Sequence, residues 1–454
     1  MSKVKVLLVA HSPSLPTGTA AIVRSIFEAL QDDPSIPIEI CQLALFHVHA
    51  VVEPKWPIFT TREDSSSSTR RRRLDPSDLH GEISFGDAVR KCQPHVVFVL
   101  DDPQNVLHLC TPKSERDYAL IIYTNIDGHP CPKGFENLKH ADLILTTTAF
   151  GAAVLETSYP ELSNQGVRVL YPPAMPDLFF PMSASDKLQV RENNFPQWVP
   201  RDAFVFGWIG FNQWRKQSWQ PYRILSLLRS GNYVRCMTCG RTGPRSDGLS
   251  GLMFKQGGLV KIHKMESTTA TVCRWCDSRE TLTGRGLDNV FAWIHMAGDT
   301  PGAPWSLREL EETYNVFGNS SIIYTNNLNQ WAHLPCEGMP VLYQLFDCLL
   351  YLSGGEGFGM PAWEAIGCGV PVVYTNYSGH AEYLTSSGGG IPVEGVLQPE
   401  PGSCVQRMVG SEWQALDAIL ALYEHPDLGL RLGEKGRSAY VRACPQSGKS
   451  RRGL

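Results

Sequence analysis

The sequence predicts an α/β protein of two doubly wound domains facing each other across a cleft, with a small cysteine-bearing module inserted into the second. Short β-branched runs alternate with helix-length amphipathic segments through the first half, which is the rhythm of a parallel sheet with crossover helices. A proline-rich, weakly periodic stretch follows, and a second series of the same kind begins after it. The length of 454 residues suits two or three domains of roughly 100–200 residues each.

In chain order, Val4-Lys5-Val6-Leu7-Leu8-Val9 reads as a strand and residues 18–30 as the helix that follows it. His95–Leu100, Leu120–Tyr123, Asp142–Thr147 and Val167–Leu170 continue the sheet. Residues 1–171 therefore form the first domain, and the proline-rich 172–202 link it to the second. The second domain, 203–410, opens at Phe204-Val205-Phe206-Gly207-Trp208-Ile209-Gly210. It resumes with Ser321–Tyr324, Cys348–Leu352 and Val370–Tyr374. Residues 411–454 read as a C-terminal helical segment. Ligands of such sheets bind outside the carboxyl ends of the strands, so the cleft between the domains is the expected site.

Composition narrows the class. At 43% hydrophobic and 19% charged residues, neither a disordered chain nor a coiled coil fits. Lys plus Arg total 41 against 45 Asp plus Glu, and a net charge of −4 gives no global attraction to DNA or an anionic membrane. The apolar run Val6–Ala10 is too short for a signal or a span, and no stretch reaches 18 apolar residues. A cytoplasmic setting is expected, with the 13 cysteines reduced or, where paired in sequence, ligating a metal. Two segments break the βα pattern. One is a serine and arginine loop within residues 53–82, holding Ser65–Ser68 and Arg70–Arg73 and read as solvated; the other is residues 230–290.

The chemistry concentrates in Leu352-Ser353-Gly354-Gly355-Glu356-Gly357-Phe358-Gly359-Met360-Pro361-Ala362-Trp363-Glu364, which reads as strand end, glycine loop and helix start. Pro361 suits a first helical turn, where its missing N–H has no intrahelical partner, so the amides of Phe358 to Trp363 should point into the cleft as an anion site. Glycines at 354, 355, 357 and 359 let the main chain approach a ligand, and the helix N-terminus favours phosphate. Glu356 and Glu364, with seven residues between them, have oxygens suited to the vicinal hydroxyls of a sugar or ribose.

This segment resembles the Glu-x7-Glu signature of the retaining family 4 glycosyltransferases. The resemblance extends to Asp347 upstream and to Gly379-His380-Ala381-Glu382 downstream. It implies the GT-B fold of two Rossmann-like domains, a nucleotide-sugar donor in the second domain, transfer with retention of configuration, and no catalytic metal. Carried over by position, Glu364 holds the donor ribose and Glu356 lies near the sugar hydroxyls. Gly357, Phe358, Gly359 and Met360 then supply the backbone around sugar and diphosphate, and Glu382 is a further donor contact. The basic pair after the first strand of the second domain is Arg215 and Lys216, set to neutralise the leaving diphosphate. Phe211 stands where the family commonly has an arginine. In the first domain Gly18 matches a glycine that admits donor phosphate and acceptor, and Asp127 occupies roughly the place of a family histidine near the reacting sugar. His129 lies two residues on, and which of the two faces the cleft is open.

The insert carries Cys236-Met237-Thr238-Cys239 and Cys273-Arg274-Trp275-Cys276, two CxxC knuckles whose four thiolates suit one structural tetrahedral Zn²⁺. The strand-like sequence between them fits a hairpin that returns the second knuckle to the first. Three functional readings follow. The first is an active transferase with a glycan, small-molecule, protein or modified nucleic-acid acceptor. The second is a non-catalytic protein that binds a sugar nucleotide or a macromolecule through the insert. The third is a transferase acting on a modified base, for which the basic insert supplies the docking charge.

Overall fold

The computed structural model describes residues 3–15, 17–46, 55–61, 75–164, 166–244, 252–255, 258–261, 276, 278, 281–296, 303–316, 321–325, 334 and 336–444. Ser65–Ser68, Arg70–Arg73 and Cys273 lie outside the described residues.

The first sheet comprises β1 (Val4–His11), β2 (Ile38–Leu45), β3 (Ile58–Thr60), β4 (Val96–Leu100), β5 (Ala119–Thr124), β6 (Leu143–Thr146) and β7 (Val167–Val169). Its order is β3-β2-β1-β4-β5-β6-β7, parallel throughout. Helices cover both faces, which is why Leu7, Leu8 and Val9 are all fully buried and β1 reads as an unbroken apolar run. The helix Gly18–Asp32 starts where Thr17 Oγ1 accepts the Ala20 amide at 3.2 Å, and it sets Phe27 against Phe98.

β8 (Phe204–Ile209) opens the second sheet. The insert follows with β9 (Tyr233–Cys236), β10 (Thr242–Pro244), β11 (Leu252–Lys255), β12 (Gly258–Lys261) and β13 (Thr281–Thr283). The sheet resumes with β14 (Val290–His295), β15 (Ile322–Tyr324), β16 (Cys348–Tyr351), β17 (Val372–Thr375) and β18 (Gly390–Val393), in the parallel order β15-β14-β8-β16-β17-β18. Gly207 in β8 makes room for Phe346, whose ring would lie 2.2 Å from a Cβ there. An antiparallel hairpin, β19 (Gly395–Pro399) and β20 (Gln406–Gly410), completes the domain.

The connection between domains is not plain coil. It contains the helix Ala184–Asn194, whose buried Arg191 donates to Ala203 O (3.1 Å) and Leu345 O (3.0 Å) and pairs with Asp347. The C-terminal helix Pro426–Arg442 returns to the same connection, where the Met175 amide donates to Tyr440 Oη at 2.9 Å.

One sequence expectation needs correcting. Cys41 on β2 and Cys92 at the end of the helix Ser84–Cys92 form a disulfide across 51 residues of sequence, so this pair is not reduced. The helix packs on β1 and β2, which brings together two cysteines whose spacing carries no motif. Among the described residues no helix is long and apolar enough to cross a membrane.

Candidate functional site

The glycine loop leaves β16 and enters the helix Met360–Gly367, with Pro361 in its first turn and Gly359 as N-cap in the left-handed region (φ 89°). Residues 352–360 are all buried. The first domain closes over part of this loop. Thr147 Oγ1 and Thr148 Oγ1 donate to Gly357 O at 3.0 and 3.2 Å. A Cβ on Gly357 would lie 2.5 Å from Asn125 Cβ, and one on Gly355 would lie 2.0 Å from Asp127 O. A Cβ on Gly18, at the first turn of the opposing helix, would lie 3.1 Å from Met360 Cγ. Gly355 and Gly357 therefore admit the facing domain at Asp127 and Asn125, a close approach that side chains would block.

Glu356, 5% exposed, sits at the centre of the cleft. Its carboxylate accepts from Arg215 Nη1 at 2.8 Å and is ion-paired with Lys216 Nζ. Both cations come from the turn Trp214–Lys216 that follows β8. Burial alone would raise the Glu356 carboxyl, but Lys216 and then Arg215 outweigh it and hold the group far below the ordinary carboxylate range. Burial in turn lowers the Lys216 ammonium to about 8 against the opposing pull of Glu356. The Glu356 amide donates to Ser378 Oγ at 2.8 Å, and Ser378 holds a positive φ of 62°, a strained setting for a residue with a Cβ.

Asp127 extends this network from the first domain, with its carboxylate 3.3 Å from Arg215 Nε and 2.8 Å from Arg407 Nη1. His129 meets the second domain through its carbonyl, which accepts the Gln406 amide at 2.8 Å. Of the two residues left open by the sequence, Asp127 is the one whose side chain joins the charged centre. Glu364, 7% exposed, lies behind the loop and accepts from Tyr343 Oη at 2.7 Å; burial raises its carboxyl to about 7. Glu382 reaches across to the first domain. It accepts the amides of Ala149 (3.3 Å) and Phe150 (3.0 Å) and the Tyr171 hydroxyl, capping the helix Ala149–Ser158 of the first domain. Its carboxylate closes the domains together.

Sequence reasoning missed Arg407, Tyr343 and the two threonines. It also missed a polar cluster at the ends of β1 and β4, where the strand order reverses. There Asp101 Oδ2 lies 3.8 Å from His11 Nε2 and 3.7 Å from His80 Nδ1.

In the insert, β9 pairs with β10 and β13, and β11 pairs antiparallel with β12. The sulfurs of Cys236, Cys239 and Cys276 lie within 4.8 Å of one another. The Cys239 amide points at Cys236 Sγ (3.4 Å) and is the first cause of that thiol's lowered pKa. Three convergent sulfurs, two of them on a turn that donates N–H to sulfur, fit a thiophilic metal.

Residues 325–400, which include the whole glycine loop, match the family model described as Glycosyl transferases group 1. A stretch of 57 residues is 41% identical to O-antigen chain mannosyltransferase B of Escherichia coli, and it spans 13% of this chain and 15% of that protein. Whole-chain similarity appears among solved structures. Sucrose-phosphate synthase from Thermosynechococcus elongatus aligns with a TM-score of 0.63 at 13% identity, over 97% of this chain and 95% of that one. Anabaena Alr3699/HepE in complex with UDP and glucose aligns with a TM-score of 0.57 at 12% identity, over 97% and 95%. WaaG, a glycosyltransferase involved in lipopolysaccharide biosynthesis, aligns with a TM-score of 0.57 at 12% identity, over 96% and 95%.

Proposed function

From a chain of GT-B fold that carries a glycosyl transferases group 1 domain, we propose a retaining glycosyltransferase that moves a sugar from a nucleotide-sugar donor to an acceptor hydroxyl. The observation that supports it most is the buried Glu356 bridging Arg215 and Lys216 at the mouth of the helix that Pro361 opens. The donor's diphosphate takes the amides of Gly357 to Met360 and the two cations. Negative charge that develops as the glycosidic bond breaks then meets preorganised donors in a closed cleft. Glu356 accepts hydrogen bonds from sugar hydroxyls, Glu364 from the ribose, and Asp127 faces the reacting sugar. The acceptor hydroxyl attacks the face the nucleotide leaves, and a diphosphate oxygen takes its proton. The acceptor, whether glycan, small molecule, protein or modified nucleic acid, enters from the first domain, where the His11, His80 and Asp101 cluster offers polar contacts.

The test is a thermal-shift screen of nucleotide sugars followed by mass spectrometry of products. A stabilising donor is expected to yield nucleoside diphosphate and glycosylated acceptor or free sugar, whereas binding with no turnover for any donor would favour a non-catalytic protein. For the insert we propose a structural zinc held by Cys236, Cys239, Cys276 and Cys273. Elemental analysis of fully reduced protein is expected to give one zinc per chain, falling towards zero in Cys236→Ser. Zinc-free wild type would reject the site.

A further inference from the structure

The second strand of the β19–β20 hairpin lies beyond the matched family segment, yet it is tied to the residues around the charged centre. Gln406 N donates to His129 O (2.8 Å) in the first domain, Met408 N donates to Gly354 O (2.9 Å), and Gln217 Nε2 donates to Met408 O (2.6 Å). Between these anchors stands Arg407, 7% exposed. Its Nη1 donates to Asp127 O at 2.9 Å and meets the Asp127 carboxylate at 2.8 Å, while Nε and Nη2 reach Glu400 Oε2 at 3.1 and 2.8 Å. Glycines make the space for it. A Cβ on Gly128 or on Gly355 would each lie 2.9 Å from Nη1, and one on Gly354 would lie 3.2 Å from Arg407 Cβ.

The cations of this cluster already have carboxylate partners. Arg215, Lys216 and Arg407 face Asp127, Glu356 and Glu400, and Asp102 also acts on Arg215. A diphosphate drawn to Arg215 must therefore loosen a carboxylate from it, and Asp127 at 3.3 Å is held less closely than Glu356 at 2.8 Å. We propose that Arg407 is a positioning residue of the donor site: by holding Asp127 from the hairpin side, it keeps that carboxylate off Arg215 when the donor's diphosphate arrives. The inference rests on the donor reading above. Without Arg407, Asp127 is left to Arg215, which it touches, and to Lys216, whose charge it also feels, and the carboxylate competes with phosphate for them.

Calorimetric titration of the full chain with UDP, GDP and ADP tests this, using whichever binds most tightly. Arg407→Gln is expected to weaken binding about tenfold or more, the difference of one buried charge-assisted contact. Arg407→Lys, which keeps the charge but not the fork, loses less. The decisive variant is the double substitution Arg407→Gln with Asp127→Asn, in which the competing carboxylate is gone; binding returns to within about threefold of wild type. A hairpin that had merely unfolded would leave the double variant as weak as Arg407→Gln. Equal binding by wild type and Arg407→Gln, or no recovery in the double variant, overturns the inference and leaves the donor site standing. Failure of all three diphosphates to bind wild type overturns the donor reading itself and this inference with it.

Discussion

Replacing Glu356 by Gln is expected to cut turnover by about 100-fold or more while tightening the grip on free nucleoside diphosphate. The buried carboxylate is shared by Arg215 and Lys216, so its neutral counterpart leaves Lys216 without this carboxylate partner and Arg215 with Asp127. Breaking a buried pair from one side costs about 3–5 kcal/mol, because the remaining charge is uncompensated. The variant should therefore melt at lower temperature than wild type. Added diphosphate should raise its melting temperature by more than it raises that of wild type, since the anion now supplies the missing charge. Turnover falls for a separate reason. Gln offers one acceptor oxygen where the carboxylate offers two, and the loss of charge removes stabilisation that is felt as the sugar departs. Unchanged turnover in Glu356→Gln, measured with the donor found in the screen, would remove the role assigned to this residue.

The second large effect belongs to Glu364 and depends on pH. Burial raises its carboxyl from an ordinary 4.5 to about 7, so the folded chain holds this proton more tightly than the unfolded chain does. The sign follows directly: its favourable contribution is complete below about 4.5, declines as pH rises, and is gone above about 7, where a buried carboxylate must be tolerated. A shift of this size corresponds to something on the order of 3 kcal/mol. Glu364→Gln keeps an acceptor for the Tyr343 hydroxyl and never ionises. It should be clearly more stable than wild type at pH 8 and nearly equal to it at pH 5. It should also bind donor about tenfold more weakly, because an NH₂ donor replaces one of the two acceptor oxygens of the carboxylate. Denaturation curves for the two proteins that run parallel from pH 5 to pH 8 would contradict the assignment.

These effects rest on residues that differ in how plainly the sequence shows them. The two parallel sheets are legible because strands buried on both faces leave unbroken apolar runs, as in Val6–Ala10 and Cys348–Leu352. The strand Ile38–Leu45 is less legible because Glu39 and Gln42 interrupt its apolar run. Gln42 is nonetheless fully buried, donating to His11 O and accepting from Trp56, a pairing made only in the folded chain. The glycine loop and its glutamates stand in one contiguous stretch, and Arg215 with Lys216 follow a strand directly, so their types and spacing suffice to single them out. Arg407 had no such signal: it lies 280 residues from Asp127, and only domain closure brings the two together. Glu382 is a mixed case. Its place beside the motif is plain in the sequence, and only the fold shows that its carboxylate also caps a helix of the facing domain. The disulfide between Cys41 and Cys92 was hidden in the same way, since it depends on a helix packing on a sheet and not on any spacing.

The most direct measurement is the position of the phosphates in a structure of the chain with a bound nucleoside diphosphate. The account places them within hydrogen-bond reach of the amides of Gly357 to Met360 and of the Arg215 and Lys216 side chains, with Asp127 turned to Arg407. A diphosphate seated elsewhere, with Asp127 still against Arg215 and Asn125 still against Gly357, would contradict it.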